Sequence, residues 1–286
     1  MTHETRASVL ALATLAALAL PACGPGRTSA ATQPTPAAFD PSGSDPKALA
    51  AVDAMVTALG GAETWAGVKQ IQWDVQYTMD GTLKSWVRHA WDIWNGRHRC
   101  ELADMSTYQP PKPPKWSVVM YDLFDWQSGS GHGTYGGKEV GSDQRIKMKK
   151  MCHTLWQQQS YQLAMPFKLR DPGVKLALDG QMKEVTTKMS TVVCKPACDS
   201  VKVTFAPEVG GDTWWVHINT ETHLPELVEK KVQGGRLAFA LTDWTTVNGL
   251  KFVTKFQNAG LPGEVFQLSN IKIGAPNDDL YIPQVR

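Results

Sequence analysis

The segment from Gln70 to Leu102 constrains this chain more than any other. Ile71, Trp73, Val75, Tyr77 and Met79 alternate with Gln70, Gln72, Asp74, Gln76 and Thr78. A period of two places successive side chains on opposite faces of an extended chain, so the segment predicts a strand with one buried and one solvated face. Two turn signals then set the register of two more antiparallel strands. If Met79-Asp80-Gly81 is a three-residue loop, Leu83, Val87, His89, Trp91 and Ile93 join the face of Trp73. A two-residue Asp80-Gly81 turn would instead bring Lys84 and Arg88 there, so the longer loop is expected. Asn95-Gly96 reads as a two-residue type I′ turn, because both residues tolerate positive φ. It adds His98, Cys100 and Leu102 to the same face. A sheet with so aromatic a face requires a cover.

Ahead of this stretch, Val9 to Leu20 is a predominantly apolar run that ends in Pro21-Ala22-Cys23. As a helix it would extend about 18 Å, short of a bilayer core of about 30 Å, so it fits a signal-peptide core. Leu20-Pro21-Ala22-Cys23 resembles the bacterial lipobox, in which cleavage precedes a cysteine acylated on its thiol; an ordinary secretory signal is the alternative. Gly24 to Ser44 is rich in Pro, Gly, Ala, Ser and Thr and has no apolar period. Such a segment cannot offset its ordering entropy by burial and is expected to be a tether. The organisation that follows is a signal peptide over 1–22, a lipid-anchored tether over 23–44 and one mainly β domain over 45–286. No later segment has the length and apolarity of a membrane span. A formal charge of +2 gives no electrostatic case for nucleic acid.

Export permits disulfides. Cys194-Lys195-Pro196-Ala197-Cys198 places two cysteines across an expected hairpin end, within bridging reach. A zinc site is the rival, but no second pair of ligands stands at suitable spacing. Cys100 and Cys152 either pair or remain small buried residues.

Asp45-Pro46 begins a helix with a capping acid and a proline in the first turn, and Leu49, Val52, Met55, Val56 and Leu59 form its apolar stripe. Ala103 to Lys115 holds too many prolines for a ladder strand. Trp116 to Trp126 reads as the fourth strand, with Val118, Met120 and Leu123. Ser142-Asp143 caps a second helix on which Met148, Met151, Cys152, Leu155 and Trp156 share one side, with Arg145, Lys147, Lys149 and Lys150 mostly turned away, and Pro166 ends it. This is the expected lid. Beyond Pro172-Gly173 the alternation returns through Val174, Val201, Val216, Val228, Leu241, Phe252 and the Val265 to Ile273 segment, for about eleven or twelve strands in all. Register places Lys230 on the face of Val228 and Val232, so it is either turned out by a bulge or aimed into the interior.

Gly60-Gly61-Ala62-Glu63-Thr64-Trp65, Asn219 to Pro225, Asp243-Trp244 with Val247-Asn248-Gly249-Leu250, and Asn277 to Pro283 together resemble the outer-membrane lipoprotein-sorting superfamily. That family comprises the periplasmic lipoprotein carrier, its outer-membrane receptor and their relatives. The resemblance implies a strongly curved antiparallel sheet, an unclosed barrel, with an N-terminal helix and a lid helix in its concave side. In the carrier and receptor that concavity accepts acyl chains. Lipoproteins of this kind are often kept at the inner membrane by an aspartate after the cysteine. Gly24 stands there instead, which implies an outer-membrane address facing the periplasm.

The expected activity is non-catalytic binding of an acyl chain, lipid or lipoprotein, with no cofactor. The expected lining is Trp73, Val75, Tyr77, Val87, Trp91, Ile93 and Leu102 beneath Leu155 and Trp156, with Lys230 near a headgroup. Thioether side chains on the lid would repack around varied apolar ligands. An envelope sensor or scaffold that binds a protein partner is the second class. A third, catalysis at His89, His98 and Cys100, lacks a carboxylate to orient either histidine.

Overall fold

The computed structural model describes residues 39–187, 189–206 and 212–283. Cys23 and the proposed signal peptide lie outside them. The helices are α1 (Pro46–Ala58), α2 (Ala62–Ala66) and α3 (Ser142–Lys168). The first strands are β1 (Gln70–Met79), β2 (Thr82–Asp92), β3 (Arg97–Asp104), β4 (Lys115–Asp122), β5 (His132–Tyr135) and β6 (Lys138–Glu139). After α3 come β7 (Val174–Thr186), β8 (Thr191–Phe205), β9 (Thr213–Asn219), β10 (Pro225–Val232), β11 (Gly235–Val247), β12 (Leu250–Asn258) and β13 (Glu264–Gly274). They form one antiparallel sheet in the order β6-β5-β4-β3-β2-β1-β13-β12-β11-β10-β9-β8-β7. Its two edges, β6 and β7, do not meet, so the sheet is not closed into a barrel. This is the architecture expected from the alternation.

Both early turns differ from expectation, yet the buried face is the expected one. Met79 pairs with Thr82, so Asp80-Gly81 is the two-residue turn, with φ of 49° and 74°. A bulge between Tyr77 and Thr78 then absorbs one residue of β2, and Val75 meets Val87 while Trp73 meets His89. The bulge keeps Lys84 and Arg88 off the inner face. It also puts Leu83 opposite Thr78, removing it from the set. At the second turn Asp92 pairs with Arg97, so the connection has four residues. The pairing is shifted by two positions, and a shift of two leaves every side chain on its own face.

The core lies between the concave side of the sheet and the helices. Trp73 and Ile71 are fully buried, with Val52 and Met55 of α1, Leu163 and Phe167 of α3, and Val203, Val216, Leu250 and Phe252 of the far wing. Asp45 caps α1 by accepting from the Lys47 N–H at 2.7 Å. The same residue's N–H donates to Leu176 O at 2.8 Å, and Leu176 N–H donates to Ser44 Oγ at 3.1 Å. The start of edge strand β7 is thereby covered by the segment before α1. Gly60, at φ 113°, packs so closely that a side chain would overlap the Gly249 carbonyl. Two of the turn signatures behind the resemblance therefore touch.

The distal part of β7–β8 departs from the sheet. Register breaks between Leu178 and Gln181 and between Met182 and Glu184. Its tip reaches the β12–β13 connection, where the Thr187 and Ser190 hydroxyls donate to Ala259 O at 2.8 and 2.6 Å. Val185 and Val192 pack there on Leu227, Ala238 and Ala259.

Candidate functional site

The expected site residues divide between two packed clusters. Trp73 and Val75, with Trp91, Ile93 and Trp156 half-buried beside them, belong to the main core. Val87, Leu102 and Leu155 belong to a smaller one around Cys100, Val119, Tyr121, Met148 and Cys152. Tyr77 lies at the far end of β1, stacked on Phe266 at 4.9 Å. Among the described residues these side chains pack against one another. Trp91 meets Trp156 edge to face at 5.5 Å. An apolar opening between α3 and β11–β12, lined by Leu163, Phe167, Trp244 and Phe252, measures about 10 Å³. That is about one water, not an acyl chain.

Lys230 does share the face of Val228, with no bulge beside it. It is nevertheless remote, since β13, β12 and β11 separate β10 from β1, about 19 Å at ordinary strand spacing. Its ammonium pairs with Asp212 at 2.7 Å and lies over the Trp214 ring. Its charge is answered by Asp212, apart from the expected lining on β1 and β2.

The cover itself departs from the expected lid at several points. The first residue of α3 is Ser142, but Gly141 is its cap and no side chain caps it. The helix carries Pro166 in its last turn and ends at Lys168. Met151 is 42% exposed, whereas Lys149, expected to point outward, is fully buried. Its ammonium donates to the carbonyls of Ser128 and Ser130 at 2.7 and 2.8 Å and ties the loop after β4 to the helix. Burial lowers the Lys149 pKa, the Asp125 charge opposing the effect. β4 also stops at Asp122, short of Trp126, and turns Val119 and Tyr121 inward rather than Val118 and Met120. Trp126, in the loop, stacks on His153 at 4.3 Å.

Both cysteine pairs are bridged. Cys100–Cys152 joins β3 to α3, with Cα atoms 6.0 Å apart. Cys194–Cys198 spans Cα atoms 5.6 Å apart, as expected, but not at a hairpin end. Val193 pairs with Glu184 and Cys198 with Met182, so four residues of β8 face Lys183 alone. The bridge closes that excursion. The Glu226 carboxylate lies 3.5 Å from Cys198 Sγ, but the disulfide withholds both thiolates from a metal.

Under the middle of α3 runs a chain of buried polar groups. His89 Nε2 is 2.5 Å from Gln159 Oε1, His89 Nδ1 is 3.0 Å from His98 Nε2, and His98 Nδ1 is 2.9 Å from the Tyr121 hydroxyl. A neutral imidazole has one donor and one acceptor nitrogen, and the Gln159 oxygen only accepts. The direction is thereby fixed. Tyr121 donates to His98, His98 to His89, and His89 to Gln159. Trp73 stacks on His89 at 4.5 Å. Burial pushes His89 down to about 4, partly opposed by the Gln159 bond. Burial lowers His153 to about 4 as well. His98 falls well below its usual range through burial, then through the charges of His89 and His153. The face shared by His89, His98 and Cys100 is the expected one. Cys100 is in a disulfide, so it offers no nucleophile there.

Alternation did not reveal two features of the outer face. On one wing Arg88 is held between Trp86 and Trp116, at 4.8 and 4.1 Å, and lines a polar groove of about 340 Å³, with a mixed groove of about 350 Å³ on the far side of Trp116. On the other, His217 Nε2 and Arg236 meet Glu229 at 3.0 and 2.9 Å. The readable signal was a polar residue at every second position, which marks a wet face without saying which charges meet.

No family model and no curated protein matches the chain. Solved structures do resemble it. One is a LolA superfamily protein from Nitrosomonas europaea, 9% identical, over 79% of this chain and 96% of that one, with a TM-score of 0.39. Another is an outer membrane lipoprotein-sorting protein domain from Vibrio parahaemolyticus, 9% identical, over 82% and 96%, with a TM-score of 0.38. A third is the MucB chain of the Pseudomonas aeruginosa MucA/MucB complex, 16% identical, over 82% and 60%, at 0.27. The likeness is one of fold. Among the described residues no helix is long and apolar enough to cross a membrane.

Proposed function

We propose that this chain is a non-catalytic binding protein of the cell envelope, held by lipid on Cys23, that takes the acyl chains of a lipid or lipoprotein against the concave face of its sheet when α3 moves aside. One observation supports the reading: α3 covers the β1–β4 part of that face, and the described side chains beneath the helices are largely apolar and aromatic. An acyl chain in the place of α3 would keep apolar area from water at about 25 cal/mol per Å². The lid residues Leu155 and Trp156 would lead the movement. Mass spectrometry of lipids carried by the full chain from its native envelope tests this, followed by titration with a fluorescent fatty acid. Co-purified acyl lipids and saturable binding are expected. A lipid-free protein that never binds the probe would sink the reading.

A second reading is an envelope scaffold that binds a protein partner on its outer surface. It is favoured by Trp94 and Phe124, 62% and 82% exposed on the loops that follow β2 and β4. Phe124 lies against Gly96 of the first of these loops.

A further inference from the structure

We infer that the Tyr121–His98–His89–Gln159 relay is a proton-operated latch: uptake of a proton by the histidines releases α3 beyond Cys152, while the Cys100–Cys152 bridge holds the first part of the helix on the sheet. This goes beyond the binding function and rests on that reading only for what the opened face is used for.

The latch follows from hydrogen-bond counting. As neutral groups, both histidines have every ring nitrogen paired along one direction. A proton added to His89 places N–H groups on both of its nitrogens. Its Nδ1–H then faces the Nε2–H of His98, 3.0 Å away between the nitrogens. His98 can move its own proton to Nδ1 only if the Tyr121 hydroxyl reverses. Either way a positive charge remains in a buried site.

No described carboxylate answers it. The groups that face the pair are Tyr121 from β4, and His153 and Gln159 from α3. At the end of β4, Asp122 accepts from the Phe124 N–H, and in the loop that follows Asp125 accepts from the Ser128 and Ser130 hydroxyls. Lys149 is directed at that loop's carbonyls. His153 stacks on Trp126 and has a buried Nδ1 with no partner, so it contributes a second unanswered charge. The charge is relieved when water reaches the histidines, and α3 is the element that covers them.

Size follows from linkage. His89 titrates at about 4 when covered and near 6.5 in water, so at pH 5 the uncovered form is favoured about 30-fold relative to neutral pH. Hydrogen exchange of the full chain, disulfides intact and without lipid, tests this at pH 7.5 and 5.0 after correction for intrinsic rates. Opening of 153–168 is expected to rise at least about 10-fold, with 142–152 and β7–β9 unchanged. Gln159→Glu puts a carboxylate beside His89, and its acid response is expected to disappear. Unchanged exchange of α3 in the wild type would overturn the latch, as would simultaneous opening of the whole sheet. A Gln159→Glu variant that responds like the wild type would also overturn it, and if that variant does not fold, the wild-type comparison decides alone. Lipid is absent throughout, so failure here and failure of the binding reading are separate results.

Discussion

The two faces of this sheet each carry a buried histidine cluster next to a disulfide, and the clusters are built on opposite principles. Beneath α3, His89 and His98 have only neutral partners, Tyr121 and Gln159, and the adjacent bridge joins two elements 52 residues apart in the chain. On the outer face His217 meets a carboxylate, Glu229, which Arg236 also contacts, and the nearby bridge spans a separation of 4. Burial would raise the Glu229 carboxyl, but the hydrogen bonds and charges of His217 and Arg236 hold it below its usual value. A carboxylate stands in the outer group and none stands beside the inner pair. Between neutral pH and pH 5 the inner site is therefore the one expected to respond.

The largest expected difference concerns the bridges. In the chain-entropy model, a loop of the Cys100–Cys152 length is worth about 4 kcal/mol and one of the Cys194–Cys198 length about 2 kcal/mol. Urea unfolding of the double alanine variants should show this ratio. Equal losses would mean that the first bridge does not organise the lid.

Next comes the outer ion group. Glu229→Leu takes the carboxylate from buried His217 and half-exposed Arg236 and should destabilise by about 3 kcal/mol at pH 7.5. A loss below about 1 kcal/mol would show that water already satisfies the group.

Acid should act mainly on the inner cluster. The folded-state value of His89 is depressed, so its contribution is complete above the unfolded value of 6.5 and is lost as pH falls towards about 4. Unfolding free energy should drop by about 2 kcal/mol from His89 alone between pH 7.5 and 5.0, and further as His98 and His153 follow. Glu229 has the same sign in a lower window, since its depressed carboxyl contributes fully above its ordinary value of 4.5 and loses that contribution only as pH falls below it. A pH profile flat between 7 and 5 would contradict the description of the relay.

The smallest expected effect is at Lys149. Lys149→Met removes its bonds to the loop after β4 while keeping a side chain of similar length, for a loss of about 1 kcal/mol and a looser loop by hydrogen exchange. Thermal unfolding would detect it.

How much of this could be read in the sequence follows from period and distance. Period two found the inner face from Trp73 to Leu102 despite two wrong turns, because the errors moved pairings by amounts that a bulge or a shift of two restores. It also put His89, His98 and Cys100 together. It could not supply Gln159, 70 residues from His89, nor choose whether Cys100 meets Cys152. Lys149 was misplaced because helical spacing treats any lysine as outward, while a loop of converging carbonyls can satisfy one inside. The Cys194–Cys198 spacing suits a hairpin end and an excursion within one strand equally well, and only the pairing of β7 with β8 distinguishes them. The filled interior was the least legible feature, since the same apolar residues line a cavity or fill a core, and only their packing distinguishes the two.

Whether the face beneath α3 receives an acyl chain, as proposed, is tested most directly with a photoreactive fatty acid. After irradiation of the full chain with this probe, peptide mapping should place the label on concave-face residues such as Trp73, Trp91, Trp156 or Phe252, with more label at pH 5.0 than at 7.5. Label confined to the outer loops around Trp94 and Phe124, or none at either pH, would contradict it.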